Sequence, residues 1–62
     1  MTATDEAFEI TGLIRTQVTD LELHAADIAD EHVDVLVDHV RMAVIELGQR
    51  LTELRRQERT TA

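Results

Sequence analysis

The sequence predicts an all-α fold, an antiparallel two-helix hairpin that dimerises into a four-helix bundle. In both halves of the chain, apolar residues recur at alternating intervals of four and three, as in helices that pack along a seam. The chain has 62 residues, no Cys and a single aromatic residue. A chain this small buries too little apolar surface by itself. We therefore expect a single domain over residues 1–62 that associates with a second copy.

The first helix is predicted over about residues 5–28. Its stripe consists of Ala7, Thr11, Ile14, Val18, Leu21, Ala25 and Ile28. The segment Thr19-Asp20-Leu21-Glu22 has the form of a capping box and leaves open a separate middle helix, which would give three helices. The stripe runs through Thr19 without a change of phase, which favours one continuous first helix.

The second helix is predicted over about residues 31–57, with a frayed tail at 58–62. Its stripe consists of Val33, Val37, Val40, Val44, Leu47, Leu51 and Leu54. Continuing the first stripe leads to His32 rather than Val33, and one residue is about 100° of helix rotation. In one continuous helix the second stripe would therefore face away from the partner of the first. A turn at about residues 29–30, with Asp30 as the N-cap of the second helix, allows both stripes to face a partner. A single kinked helix remains the alternative, because neither Gly nor Pro marks the break.

Two sets of side chains are candidate contact surfaces. The predicted self-association core consists of Ile14, Val18, Leu21, Ile28, Val33, Val37, Val40, Val44, Leu47, Leu51 and Leu54. A candidate second interface consists of Val35, Met42 and Ile45, which the spacing places nearly opposite the seam of the second helix. A helix that is apolar on two sides contacts more than one neighbour. The second interface is therefore expected to serve a higher oligomer or another protein.

The charge of the chain is strongly acidic and unevenly distributed. Thirteen acidic residues against six Arg and no Lys give a net charge of −7. Residues 1–49 hold eleven acids and two Arg (−9), whereas residues 50–62 hold two acids and four Arg (+2). Solubility, adaptation to a high-salt cytoplasm and mimicry of nucleic acid all remain open as explanations.

The location expected from the sequence is cytoplasmic. No apolar run approaches the roughly 20 residues of a membrane span. The acidic N-terminus also lacks the features of a secretory signal or transit peptide.

The sequence contains no pattern that favours catalysis or a cofactor. His24, Asp27 and Glu31 would share a face only if the first helix continued through the predicted turn. His32 and His39 are about 10 Å apart along a helix axis, which is too far for one metal ion. A Gly-rich phosphate loop and a nucleophile elbow are also missing. We expect a non-enzymatic protein without a cofactor or metal.

The pattern over residues 7–54 resembles the Rop (Rom) family, small plasmid RNA-binding proteins whose helical hairpins dimerise into four-helix bundles. The segment Leu13-Ile14-Arg15-Thr16-Gln17 looks like the first helix of that family, and Glu46-Leu47 also matches. The resemblance implies RNA binding through Leu13, Arg15 and Gln17. The positions that match the RNA-binding residues of the family are Thr2, Asp5, Glu9, Leu13, Gln17 and His24, of which only Gln17 is kept.

The function expected from these observations is that of an interaction module, a small regulator or adaptor that docks through its second helix and its acidic surface. Nucleic acid is not the expected partner, because Asp5 and Glu9 oppose phosphate and the chain has no Lys. The alternatives are an RNA-binding regulator of Rop type, a metal-binding bundle and a subunit of a larger complex.

Overall fold

The computed structural model describes residues 2–61, which form two antiparallel α-helices. Helix α1 spans Ala3–Ile28 and helix α2 spans Glu31–Thr61. Neither a middle helix nor a single kinked helix is formed, and the predicted all-α hairpin is confirmed for this part of the chain. The Cα atoms extend over 49 × 16 × 11 Å, so the hairpin is long and thin.

Helix α1 begins earlier than predicted because Thr2 and Asp5 form a capping box. Thr2 Oγ1 accepts a hydrogen bond from the Asp5 N–H at 3.1 Å, and Asp5 Oδ2 accepts one from the Thr2 N–H at 3.4 Å. These bonds satisfy backbone donors that the first helical turn would otherwise leave unpaired. The hydrogen bonds from Thr2, with a smaller contribution from the charge of Arg55, hold the pKa of Asp5 below its usual value.

The turn between the helices consists of Ala29 and Asp30, as predicted. Ala29 adopts the left-handed conformation (φ 56°), and its N–H donates to the Ala25 carbonyl at 3.0 Å. Asp30 Oδ1 accepts a hydrogen bond from the Val33 N–H at 3.0 Å, which confirms Asp30 as the N-cap of α2. The reversal is therefore made without Gly or Pro.

Helix α2 continues to Thr61, beyond the predicted end at about residue 57. Residues 58–61 of the predicted frayed tail are helical, and Ala62 lies outside the described residues. Thr4 Oγ1 donates a hydrogen bond to Glu58 Oε1 at 2.8 Å. This bond attaches the last turns of α2 to the first turn of α1 and so favours helix where the sequence predicts a frayed tail.

The contact between the helices is made by residues spaced seven apart. The buried residues are Thr11, Val18 and Ala25 on α1 and Val37 and Leu51 on α2, with half-buried Val44 between the last two. Thr11 is polar but satisfied, because its hydroxyl donates to the Ala7 carbonyl at 2.7 Å. A Cβ added to Gly48 would lie 3.9 Å from Thr11 Cγ2, which shows how closely the helices approach here. Thr11 and Ala25, absent from the predicted core, are among its most buried members.

Candidate interaction surface

The row of buried residues divides the hairpin into two sides. A helical turn has about 3.6 residues, so positions four and three after a buried residue lie on opposite sides of it. Glu22 and Arg41 follow the buried residues Val18 and Val37 by four, and Arg41 Nε lies 3.7 Å from Glu22 Oε1 across the helices. This contact shows that the fourth positions of both helices share one side, which we call the ion-paired side.

The ion-paired side carries charged contacts within α2 and between the two helices. Arg55 Nε lies 2.9 Å from Asp5 Oδ1, as an ion pair without hydrogen-bond geometry. The Arg55 guanidinium carbon lies 4.6 Å from the centroid of the Phe8 ring, within cation–π range. Arg41 Nη2 also donates to Asp38 Oδ1 at 2.7 Å, and this hydrogen bond raises the pKa of Arg41.

A groove of about 530 Å³ runs between the helices on this side. Its lining includes Gly12, Arg15, Thr16, Thr19, Val44 and Ile45. The hydroxyls of Thr16 and Thr19 donate to backbone carbonyls of their own helix, at 3.3 and 3.1 Å. Ile45 is next to the half-buried Val44 in the sequence, and it is itself half-buried in the lining of this groove. The sequence pattern placed Ile45 on the outer surface of α2, and that placement is wrong.

The opposite side, which we call the open face, is mostly apolar and mostly exposed. On α1 it contains Ala7, Ile10, Ile14, Gln17, Leu21, His24 and Ile28, and on α2 Val33, Leu36, Val40, Ala43, Leu47, Arg50 and Leu54. Both rows again alternate steps of three and four, so each row lies along one line of its helix. Six of the large apolar side chains, three on each helix, are 44–59% exposed. No residue of the open face is acidic, although the chain has thirteen acids.

The outer edges of the open face carry a row of carboxylates, which we call the acidic rim. It consists of Glu6, Asp20 and Asp27 on α1 and Glu46 and Glu53 on α2. Asp20 follows Gln17 by three positions, and Glu46 follows Ala43 by three. The rim is therefore rotated around each helix, away from the buried row, by one step of three residues beyond the open face. Within residues 2–61, Glu53 is the rim residue with an ion pair, to Arg50 at 3.1 Å.

One chain buries only part of the predicted self-association core. Val18, Val37 and Leu51 are buried, and Ile14, Val33, Val44 and Leu54 are half-buried. The remaining members, Leu21, Ile28, Val40 and Leu47, are exposed on the open face. Their burial requires another molecule, and their place in a core therefore stays a prediction.

The other predicted sites lie on separate surfaces. Val35 and Met42, 47% and 50% exposed, are seven residues apart on the outside of α2. Leu13, Arg15 and Gln17, proposed from the Rop resemblance, do not form one surface. Arg15 lines the groove, Gln17 lies on the open face, and Leu13 is 67% exposed.

No three His, Asp or Glu side chains of residues 2–61 are grouped so that they could hold a metal ion, including His24, Asp27 and Glu31. Neither helix, as far as it is described, has the length and apolar character needed to cross a membrane.

A scan against protein-family models and searches of curated proteins and of solved structures found no match for this chain. The resemblance to Rop is therefore neither supported nor opposed by these comparisons. The contrast between the two sides of the hairpin is the feature of this chain that bears on its function.

Proposed function

We propose that this protein is a non-enzymatic interaction module, a small cytoplasmic regulator or adaptor that works as a homodimer. Two hairpins pack with their open faces together and form a four-helix bundle, the architecture that the Rop resemblance implies. The observation that carries this proposal is the row of exposed apolar side chains along the open face of a single chain. Covering apolar surface stabilises a protein by about 25 cal/mol per Å².

The exposed surface area of the hairpin is consistent with one further protein interface. The chain exposes 4957 Å² at a mass of 7.0 kDa. A compact folded monomer of this mass exposes about 4000 Å². The difference, about 900 Å², is close to the roughly 800 Å² that each partner contributes to a standard protein–protein interface.

The charge distribution favours a second copy as the partner on the open face. Each chain has a net charge of −7, and acids facing one another across an interface would oppose association. The open face is free of acids, which suits contact between two identical acidic chains. A basic partner would instead be favoured by carboxylates placed within the contact surface.

The outside of α2 remains accessible in such a dimer and provides the second contact of the proposed module. Val35 and Met42 lie there on one line of the helix. Glu31 and Asp38, four positions before and three after Val35, lie beside this line on one side, and Asp38 is paired with Arg41. We propose that a higher oligomer or another protein docks on these two apolar residues.

The dimer is tested by two leucine variants in the same helix. Leu21→Glu places a carboxylate on the open face, whereas Leu23→Glu places one on the outside of α1, where Leu23 is 66% exposed. We expect Leu21→Glu to weaken dimerisation roughly 100-fold, because the carboxylate is buried twice in a symmetric dimer. Leu23→Glu serves as the matched control and should dimerise like the unmodified protein.

Sedimentation equilibrium with circular dichroism on the same samples measures these effects. Equal dimerisation of both variants, or an unmodified chain that stays monomeric at all concentrations, would contradict the proposed dimer. In the same experiment, the double variant Val35→Gln and Met42→Gln should leave the dimer intact and remove any assembly beyond it.

A further inference from the structure

We propose that self-association through the open face is controlled by ionic strength, through repulsion between the acidic rims of two copies. This inference rests on the proposed dimer. The open face supplies the attraction, and the rim supplies an opposing charge that dissolved salt can screen.

The rim is placed where two open faces would meet. It lies one step outside the open face on both helices, so packing two open faces brings the rims of the two chains alongside each other. Asp20 and Asp27 on α1 and Glu46 on α2 are exposed. None of these three has an ion pair among the described residues, so their charges remain uncompensated within one chain.

The cations that the structure places near the open face or between the helices already have acidic partners in the same chain. Arg50 is the one Arg of the open face, and it already pairs with Glu53. Arg41 and Arg55 lie on the ion-paired side, where they contact acids of the same chain. The approach of a second chain therefore meets a net negative edge.

The range of this repulsion depends strongly on salt. The Debye length is about 30 Å at 0.01 M ionic strength, about 10 Å at 0.1 M and about 3 Å at 1 M. Exposed carboxylates on opposing rims therefore interact at low salt and are screened at high salt. We expect the dissociation constant of the dimer to fall by about tenfold or more between these limits.

The experiment compares two triple variants that change net charge equally. Asp20→Asn, Asp27→Asn and Glu46→Gln neutralise the rim. Glu9→Gln, Glu31→Gln and Asp34→Asn remove three exposed carboxylates that lie outside the rim and have no ion pair within the described residues. Both sets of substitutions remove three acids and change the net charge from −7 to −4.

Sedimentation equilibrium from about 0.01 M to about 1 M NaCl distinguishes the possible outcomes. We expect the rim variant to dimerise about tenfold more tightly at low salt and to lose the salt dependence of its dissociation constant. The control variant should keep the salt dependence of the unmodified chain. Equal effects of both triple variants would assign the repulsion to net charge and overturn the role of the rim.

A dimer whose dissociation constant does not change with salt would overturn this inference and leave the proposed dimer standing. A chain that is monomeric at every salt concentration would overturn both. Circular dichroism checks that the variants remain helical. Should a triple variant lose helicity, the single variants Asp20→Asn and Glu9→Gln carry the same comparison.

Discussion

The ion-paired side and the open face are formed by the same two helices, yet they make their contacts differently. On the ion-paired side, Glu22 contacts Arg41 and Asp5 contacts Arg55, so the charged groups of one helix find partners on the other. On the open face, one position away, Leu21 and its neighbours remain exposed. One side of the hairpin is therefore completed within the chain, while the other is suited to completion by a second molecule.

A charge placed in the buried row should destabilise the hairpin far more than a charge placed on the outside of α2. Val37 is 8% exposed and Val35, on the same helix, is 47% exposed. Val37→Asp should destabilise the hairpin by about 3–5 kcal/mol, because it leaves an unpaired charge in the contact between the helices. We expect loss of the helical signal at 222 nm, whereas Val35→Asp, the control, should retain it. A fully helical Val37→Asp variant would contradict the assignment of the buried row.

A substitution on the ion-paired side should lower the stability of the hairpin by a smaller amount and leave dimerisation unchanged. Arg55→Met removes the ion pair to Asp5 and the cation–π contact to Phe8, which is worth about 0.5–1 kcal/mol by itself. We expect a lower melting temperature and an unchanged dimer dissociation constant, since Arg55 lies away from the open face. Arg56→Met, an exposed neighbour, is the control. A change in dimerisation specific to Arg55→Met would show that the two sides are not independent.

The smallest effect is a pH dependence at the start of α1. The pKa of Asp5 is lower in the folded chain than its ordinary value of 3.8, because its charged form accepts hydrogen bonds from Thr2. Its contribution to stability is therefore complete above pH 3.8 and is lost as the pH falls through the lower folded value. Asp5→Asn should remove this part of the acid destabilisation measured by thermal melts, while Glu9→Gln should retain it. Identical acid melts of Asp5→Asn and the unmodified chain would contradict this assignment.

The turn could be predicted from the sequence because two physical signals agree there. The apolar stripe changes phase between Ile28 and Val33, and Asp30 is a side chain that caps helices well. The structure has the turn and the cap at these positions. The capping box at the N-terminus was missed because Asp5 stands where the usual pattern has Glu or Gln.

The division of the seam into two surfaces could not be predicted. Contacts within a chain and contacts between chains follow the same intervals of three and four, so the pattern alone does not separate Val37 from Val40. The position of Ile45 was also not predictable from spacing, because Ile45 lines a groove that it shares with Gly12 and Thr16 of the other helix, and the spacing along one helix does not show its neighbour.

The two-residue turn at Ala29 and Asp30 also has a consequence for the order of folding. Contacts beside the turn close short loops, whereas the bond between Thr4 and Glu58 joins residues 54 positions apart. Closing a longer loop costs more entropy, so contacts near the turn form at the lowest cost. Each contact then shortens the loop that the next one must close. We expect the hairpin to zip from the turn toward its ends, with the Thr4–Glu58 bond the last to form and the first to open.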